Sequence, residues 1–562
     1  MGLWRRSFLV KGLVALAAAL TPGTIQRVRA RASGTGAGAA RMTLRVQPTP
    51  LKVLGKEVMV LSALNPTGGR GLAVEQADGF QVDVINHLRM PTGMHWHGLL
   101  LPNGMDGVPF ITQNPIPPGG TFRYEFPLRQ AGTYWMHSHY GMQEQHLLAA
   151  PLVIWSERER AQADQQFVVM ISDFSFRSPQ AILKELRSGS GMAGMTGMAG
   201  MDKAAMGKPG MVKPGMAMAG GAMEGMAPGS MAMASGAGGG MAAGTVLQQV
   251  WDESNGGFTS RLAPGSPGSS DVNYDALLAN HHTIDNAEIL AVKPGETVLL
   301  RLIGGCCATN VFLDSGDLEA TVVATDGNAC EPLRGNFFQL AIAQRLDLRF
   351  TMPQAPGVFP ILMRAEGKDL LAAVVLSSAG PAAAAKAVAA LPGKASQLTG
   401  GLDGAQESRL RAQTPLSARP VDRNLELVLA GSMQGYRWTI NGESYPNRSS
   451  LMVRQRERVA IHFENRNGMG HPMHLHGHVF QVVEINGKSF AGPLRDTVLV
   501  PAKGTCSVLL DADQPGLWAF HCHIMYHAES GMFTTLLYEG ADTSFWQPEK
   551  MAAAMEIPSF SP

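Results

Sequence analysis

The sequence predicts an all-β protein built of antiparallel sandwiches. Short runs that alternate apolar and polar residues recur between glycine and proline turns, as at 80–84, 297–303 and 459–463. Asn486-Gly487, between two apolar runs, is the favoured two-residue hairpin turn. Helical periodicity is scarce, so α/β units are not expected.

Length and charge narrow the possibilities further. The chain has 562 residues, which exceeds one ordinary core and predicts two or three domains. Its 46 basic and 45 acidic residues leave a formal net charge of +1. Because this balance provides no basic surface for phosphates, we expect no nucleic-acid partner.

The first 32 residues have the pattern of an export signal. Arg5 and Arg6 precede an apolar stretch, 12–20, that is too short to span a bilayer, and small residues surround Ala30 and Ala32. The pattern resembles a twin-arginine signal, which implies passage through the twin-arginine export machinery to the periplasm or out of the cell. The alternative is an ordinary basic start before a hydrophobic segment.

The most specific pattern lies near the C-terminus, where His521, Cys522 and His523 are followed by His527 and Met532. A cysteine thiolate, imidazoles and a weak axial thioether are the ligands of blue-copper electron-transfer sites. Cys522 and His527 are the expected strong ligands, and Met532 the axial one. If residues 520–524 form a strand, His521 and His523 point away from Cys522, toward other metal ions.

Three further clusters repeat the His-x-His spacing, and the four clusters together hold ten of the sixteen histidines. The three are His95 with His97, His137 with His139, and His471 with His474 and His476. Two imidazoles two residues apart on a strand lean to one side, where they suit neighbouring metal ions better than a single ion. Four such pairs predict eight ligands around a multinuclear centre. His471 remains, and it completes the blue-copper site.

These clusters, in this order, resemble the four ligand motifs of the multicopper oxidases, H-x-H-G, H-x-H, H-P-x-H-L-H-G and H-C-H-x-x-x-H-x-x-x-x-M. The resemblance implies four copper ions, one blue and three in a trinuclear cluster made of a single copper and a coupled pair. It implies His95 and His474 on the single copper, His97, His137 and His523 on one copper of the pair, and His139, His476 and His521 on the other.

The resemblance also implies catalytic roles. Cys522 would receive each electron, and His521 and His523 would connect it to the coupled pair. Asp106 matches a position that relatives use as an acid near the cluster, although an ordinary turn residue is the alternative. Ala528 stands where some bacterial relatives carry an acid for proton delivery, which leaves Glu529 as the substitute candidate.

The family fold implies three Greek-key cupredoxin-like domains. Composition places them at 42–155, 165–378 and 424–540, with an alanine-rich linker at 379–423 and a tail at 541–562. Since the histidine clusters fall in the first and third domains, the trinuclear cluster is expected between them, where copper would join the two ends of the chain. The second domain carries no ligand motif.

The second domain does carry an unusual insertion, which we call the methionine-rich segment (188–244). It is largely glycine, alanine and methionine, with thirteen methionines between Met192 and Met241. This composition cannot form a packed core, so we expect disorder. Soft thioethers select Cu(I), which predicts an extra Cu(I) site. The alternative is a flexible insertion whose methionines reflect composition alone.

Three functions remain open. The first is a cuprous oxidase for copper tolerance, which would couple one-electron oxidation of Cu(I) to the reduction of dioxygen to water. Residues 95–98, 105–109 and 132–139 resemble the copper-resistance oxidases. The second is a laccase-like oxidase of phenols, which 476–483 and 495–498 resemble equally well. The third is a periplasmic copper-binding or sequestering protein.

Four cysteines lie outside the copper motif, and two interpretations apply to them. In an oxidising compartment Cys306 or Cys307 could form a disulfide with Cys330. Buried free thiols are the alternative, because cysteine packs as a small apolar residue. Cys506 has no assigned partner.

Overall fold

The computed structural model describes residues 41–157, 159, 164–189 and 244–555. The expected export signal and nearly all of the methionine-rich segment lie outside these residues. Strands predominate in the described chain, and they form six sheets that pair into three sandwiches. The predicted all-β class is therefore confirmed.

The first sandwich has two four-stranded sheets. One has the order β2 (Lys56–Leu64), β1 (Met42–Val53), β4 (Phe80–Asn86), β6 (Thr121–Phe126), and the other β3 (Leu72–Glu75), β8 (Ala149–Trp155), β7 (Gly132–Ser138), β5 (Met94–His97). Burial alternates along β4, as period-two patterning predicts. The sheets meet where Phe80 packs against Trp96, with ring centroids 4.7 Å apart.

The second sandwich has eight strands against five. The larger sheet is β10 (Gly244–Asp252), β11 (Gly257–Gly265), β17 (Asn328–Gly335), β16 (Ala320–Thr325), β19 (Arg345–Thr351), β14 (Thr297–Gly304), β9 (Gln165–Phe174), β12 (Ala276–Ala279). The smaller is β13 (Glu288–Ala291), β21 (Leu371–Ser377), β20 (Val358–Ala365), β15 (Val311–Asp314), β18 (Phe337–Leu340). Arg301 on β14 and Arg345 on β19 are fully buried in the larger sheet.

The third sandwich has seven strands against five. The larger sheet is β23 (Arg437–Ile440), β22 (Arg423–Ser432), β25 (Arg458–Asn465), β31 (Thr505–Asp511), β27 (Phe480–Ile485), β28 (Lys488–Ser489), with β29 (Leu494–Arg495) also on β27. The smaller is β24 (Leu451–Val453), β33 (Phe533–Tyr538), β32 (Leu517–Cys522), β26 (His471–Leu475), β30 (Thr497–Val500). The predicted Asn486-Gly487 turn joins β27 to β28, and both residues have positive φ, 50° and 78°.

The sheets are mixed rather than purely antiparallel, which corrects one expectation. Each contains a parallel pair, such as β1 with β4 in the first sandwich and β22 with β25 in the third. The physical reason is the crossover connection. In the first sandwich, the chain forms the β1–β2 hairpin and then crosses to the facing sheet as β3. It returns to the first sheet as β4, which lies beside β1 and runs in the same direction.

Four α-helices lie in the described residues: α1 (Pro179–Ser188), α2 (Pro381–Ala389), α3 (Met525–Glu529) and α4 (Pro548–Met555). Ser178 caps α1 by accepting the Ala181 amide. The segment expected to be a linker contains α2, and it also buries Glu407 against Arg495 at 2.8 Å. No helix in this part of the chain is long and apolar enough to cross a membrane.

The disulfide interpretation is wrong. All five cysteines are free and buried. Cys330 lies on β17, where its backbone pairs with that of Ala412 in an isolated β-bridge. Cys307 follows β14 instead, and its amide donates to Asp173 at 2.9 Å. Burial raises the pKa of the Cys306 and Cys307 thiols well above 9.0, so they stay protonated.

Candidate metal centres

Strand β32 ends earlier than expected. It stops at Cys522 rather than continuing to residue 524. The Pro472 carbonyl accepts from the His523 amide at 2.7 Å, but proline has no amide hydrogen to donate in return, and the chain then enters α3. The side chains still alternate. Cys522 faces His471 and His527, while His521 faces the opposite group of histidines.

Three predicted blue-copper ligands form a compact triangle. The Cys522 Sγ lies 3.6 Å from His471 Nδ1 and 3.8 Å from His527 Nδ1, and these two nitrogens are 3.2 Å apart. The centre of such a triangle is about 2 Å from each corner, similar to the metal–nitrogen and metal–sulfur bonds of protein sites. Met532 is buried, and its backbone is hydrogen-bonded to both Cys522 and His527.

His527 is oriented by a residue from the second domain. Its Nε2–H donates to Asp271 Oδ2 at 3.0 Å, which leaves Nδ1 free to ligate. The Asp271 carboxylate also accepts a short hydrogen bond from the Tyr436 hydroxyl. Trp438 stacks on the His527 ring, with centroids 3.7 Å apart.

The eight remaining histidines of the four clusters converge between the first and third domains. His521 Nε2 lies 3.3 Å from His139 Nε2 and 3.1 Å from His476 Nε2. A second group consists of His95 and His474, whose Nε2 atoms are 3.4 Å apart. Strand register creates the approach, because His474 stands opposite His521 on β26 and β32. His95 likewise stands opposite His137 on β5 and β7.

A third group is marked by nitrogens without hydrogen-bond partners. Among the described residues, His97 Nδ1, His137 Nε2 and His523 Nε2 are buried and unpaired. Their ring centroids are 5.1 to 5.7 Å apart. A buried polar atom without a partner is costly unless something binds it. The donor set of imidazoles and one cysteine therefore fits copper ions.

Comparison with known proteins decides the family. Models described as multicopper oxidase match residues 46–159, 245–381 and 418–542, more than half of the chain. The chain is a multicopper oxidase. It is therefore a copper-containing oxidoreductase that uses dioxygen and a reducing substrate.

Individual relatives agree with this family. "Multicopper oxidase MmcO" of Mycobacterium tuberculosis is 32% identical over 88% of this chain and 86% of its own length. "Copper resistance protein A" of Escherichia coli is 26% identical over 88% of this chain and 92% of its own. The crystal structure of a multi-copper oxidase from Pseudomonas thermotolerans has a TM-score of 0.60 at 21% identity, covering 90% of this chain and all of that one, and so shares the fold.

Hydrogen bonds to oxygen atoms determine which ring nitrogen is free in several of the eight converging histidines of this oxidase. Asp106 accepts two such hydrogen bonds. His476 Nδ1 donates to the Asp106 Oδ2 at 2.9 Å, and His95 Nδ1 donates to the Asp106 main-chain oxygen at 3.0 Å. His137 Nδ1 lies 2.9 Å from Glu144 Oε2. His97 is reversed, since its Nε2 donates to Asp496 Oδ1 at 3.0 Å and leaves Nδ1 free. Hydrogen bonds of this kind set the tautomer of a ligating imidazole.

Burial favours the neutral form of eight of the clustered histidines, which is the form that binds metal. Desolvation is the largest cause in each case. It lowers the pKa of His521 to about 3. It lowers the pKa well below 6.5 in the other affected rings, His97, His137, His139, His471, His474, His476 and His523. Burial also raises the pKa of the Cys522 thiol, so a bound metal must displace its proton.

A cavity adjoins the eight converging histidines. Its wall includes His139, His521 and two carboxylates, Glu144 and Glu529. Desolvation raises the pKa of Glu144 to about 7 and that of Glu529 to about 8. Glu529 Oε2 is buried and, within the described chain, has no hydrogen-bond partner. The substitute acid considered from sequence thus lies beside the cluster.

Sequence reasoning missed four residues that contact ligands or their partners: Glu144, Asp271, Arg345 and Asp496. Two of them carried a local signal, since Glu144 follows His139 by five residues and Asp496 lies within the 495–498 motif, but neither was given a role. Asp271 is 256 positions from His527, and Arg345 is 151 from Asp496. Their roles arise from tertiary packing, which no local spacing reveals.

Proposed function

We propose that this multicopper oxidase holds four copper ions with the ligands assigned from sequence. Cys522, His471, His527 and Met532 would hold the blue copper. The three histidine groups would hold the single copper and the coupled pair, as listed above for each ion. The triangle around Cys522 and the unpaired nitrogens of His97, His137 and His523 support this assignment. Asp106 would orient His95 and His476.

We further propose that the reductant is Cu(I), in copper tolerance. When bound, the copper ions supply one-electron transfer and the reduction of dioxygen, in the balance 4 Cu(I) + O2 + 4 H+ giving 4 Cu(II) + 2 H2O. The protein would use Asp271 to position His527, the proposed ligand through which electrons enter. It would also exclude water from the buried blue-copper site and provide carboxylates beside the cavity.

One observation carries the Cu(I) proposal. The methionine-rich segment, with its thirteen methionines, follows α1 directly in the sequence. The residues just before α1 are hydrogen-bonded to the loop that bears Asp271. Arg177, just before α1, donates to the Asn273 carbonyl at 2.8 Å, two residues beyond Asp271. Thioethers that bind Cu(I) would thus be tethered beside the ligand through which electrons enter.

A laccase-like oxidase of phenols is the second candidate, supported by the third-domain motifs. Oxygen uptake by the fully copper-loaded protein, measured side by side with Cu(I) and with a phenol, separates the two. We expect efficient uptake with Cu(I). Strong phenol turnover without added copper, together with poor Cu(I) turnover, would establish the laccase instead. No uptake with either reductant would favour the sequestering protein.

Removing residues 190–243 should raise the KM for Cu(I) with little loss of bound copper, because the predicted ligands of the cluster lie elsewhere. The matched control keeps the full length but replaces the thirteen methionines with serine. It should behave like the deletion if thioethers matter. Unchanged Cu(I) kinetics in both variants would exclude a role for the methionine-rich segment.

We propose export of the oxidase by the twin-arginine route, based on residues 1–32. Replacing Arg5 and Arg6 with lysine should leave the protein in the cytoplasm, as measured by cell fractionation. The domain limits given from sequence also stay a prediction, to be tested by limited proteolysis.

A further inference from the structure

The second domain contributes no histidine or cysteine to the metal groups of the described chain, yet it reaches the trinuclear cluster through Arg345. This arginine is fully buried on β19. Its guanidinium donates from both terminal nitrogens to the carboxylate of Asp496 in the third domain. Nη1 donates to Oδ1 at 2.8 Å, and Nη2 donates to Oδ2 in a shorter contact. Its Nε donates to the Thr133 carbonyl of the first domain at 3.2 Å.

Asp496 in turn holds two predicted copper ligands. Its Oδ1 accepts from His97 Nε2 at 3.0 Å, and its main-chain oxygen accepts from His474 Nδ1 at 2.8 Å. Thr497 Oγ1 adds a hydrogen bond to the same carboxylate at 2.9 Å. One aspartate therefore orients a histidine of the first domain and another of the third.

A second carboxylate fixes this arrangement from the other side. Asp326 Oδ1 accepts from the Arg345 amide at 2.8 Å and from Arg495 Nη1 at 3.1 Å. Its Oδ2 accepts from the backbone amides of Asp496 and Thr497 at 3.3 and 3.4 Å. Buried charges persist only when they are paired and hydrogen-bonded, and here each one is.

The geometry gives Arg345 a specific task. A guanidinium that binds both oxygens of a carboxylate fixes the plane of that carboxylate, which a single ammonium cannot do. With the Asp496 plane fixed, Oδ1 captures the proton of His97 on Nε2. The His97 lone pair must then lie on Nδ1, the buried nitrogen that has no partner in the described structure.

We propose that Arg345 is a positioning residue of the second domain that selects the His97 tautomer for the coupled copper pair. It acts through Asp496, and through the same aspartate it also orients His474. This inference rests on the ligand assignment proposed above and not on the identity of the reductant. Without the two-point grip, Asp496 would be free to rotate and His97 to present the wrong nitrogen.

The test replaces Arg345 with lysine and measures copper per chain together with the EPR spectrum. A coupled pair of Cu(II) ions is EPR-silent, so its loss or uncoupling is visible apart from activity. We expect the Arg345→Lys variant to keep the blue copper but to bind the pair 10- to 100-fold more weakly, the usual effect of losing a hydrogen bond that orients a metal ligand.

Arg301→Lys is the matched control. Arg301 is equally buried in the same sheet and pairs with Asp347 at 2.9 Å and Glu159 at 2.7 Å, so it contacts neither His97 nor Asp496. It should keep the full copper complement and the silent pair. Asp496→Asn should lose the same copper as Arg345→Lys, which tests the idea if the latter fails to fold.

The outcomes are distinguishable. A wild-type protein that binds no coupled pair would refute the proposed ligand assignment. A wild-type protein with the pair, and an Arg345→Lys variant with unchanged copper content and EPR spectrum, would overturn only the positioning role. Loss of the same copper in Arg301→Lys would show that general destabilisation of the second domain is the cause.

Discussion

At the scale of single residues, the oxidase orients several of the clustered histidines by giving one ring nitrogen an oxygen partner. Asp106, Glu144, Asp271 and Asp496 serve as such partners. Each leaves the opposite nitrogen of the imidazole free. Ligand geometry is thus set before any metal binds, which reduces the reorganisation that accompanies electron transfer.

Asp271 offers a direct test of this preparation. A carboxylate that accepts the His527 Nε2 proton makes the ring a stronger donor, which stabilises Cu(II) over Cu(I). Asp271→Asn should therefore raise the reduction potential of the blue copper by tens of millivolts, about 59 mV for each tenfold change in relative affinity. A redox titration of the blue absorption measures it.

Asp275→Asn is the control for that change. Asp275 lies on the same loop but accepts from Ser175 Oγ and the Phe176 amide, both at 2.8 Å, and does not contact His527. Its substitution should leave the potential unchanged. Equal potentials in wild type and Asp271→Asn would show that the carboxylate does not tune the site.

Sequence alone leads to specific residue predictions where the chemistry is local. The ten clustered histidines, Cys522 and Met532 stand out because a metal site built on strands imposes a short spacing. Asp271 and Arg345 do not stand out, because an isolated acid or arginine has many uses. Only the packing of the second domain against the other two brings them to the centre.

At the scale of elements, strand register and tight turns deliver the ligands. One such turn follows β5, where Gly107 has a φ of 84° and an added Cβ would lie 1.8 Å from the Met94 oxygen. Asp106 immediately precedes it. The turn therefore requires glycine for both conformation and space, and it carries Asp106 to His95 and His476.

Gly107→Ala should displace Asp106 and lower both thermal stability and copper content. Left-handed backbone in alanine alone costs about 1–2 kcal/mol, and the collision with Met94 adds to it. Calorimetry and metal analysis measure the two effects. Gly104→Ala in the same loop is the control, because its Cβ would have no neighbour within 4 Å. Equal stability of the two variants would contradict this role for the turn.

Glu366, which directly follows β20, predicts a pH effect on stability. Desolvation raises its pKa to about 7, although it accepts from Asn310 Nδ2 at 2.8 Å and the Leu402 amide at 3.1 Å. The folded state then binds the proton more tightly than the unfolded state, whose pKa is near 4.5. Stability contributed by this group is full below pH 4.5 and declines as pH rises to 7.

Relative to Glu366→Gln, the metal-free wild type should lose up to about 3 kcal/mol of unfolding free energy between pH 4.5 and 7. Glutamine keeps the size and the carbonyl acceptor but cannot ionise. Urea unfolding at several pH values measures the difference. A difference that does not vary with pH would show that Glu366 titrates normally in the folded protein.

Elements were predictable where periodicity is simple. The runs at 80–84, 297–303 and 459–463 all lie in strands. The early end of β32 was not predictable, since it depends on which residue of the neighbouring strand, here Pro472, stands opposite His523. The parallel pairs were missed for a similar reason, because alternation does not reveal strand direction.

At the scale of the whole molecule, the first and third domains meet around the metal groups. Besides the histidines, Asn103 Nδ2 donates to the Leu517 carbonyl at 2.8 Å, and the Gln547 amide donates to Phe110 at 2.8 Å. The trinuclear groups span the first and third domains. The second domain binds to both through the Arg345 network and through Asp271.

Removing copper with a chelator should therefore loosen both terminal domains together. We expect a lower melting temperature and faster hydrogen exchange in β5, β7, β26 and β32, because metal binding stabilises only the folded arrangement. Exchange mass spectrometry of the loaded and metal-free protein measures this. Increased exchange confined to one domain would contradict the joining of the chain ends by copper.

We propose above that this chain holds a blue copper and a trinuclear cluster in the assigned groups. Copper content and the EPR spectrum of the fully loaded protein test it most directly. We expect four copper ions per chain, of which one is blue, one is an ordinary visible Cu(II) and two are EPR-silent. A content near one copper per chain, or four ions that are all EPR-visible, would contradict it.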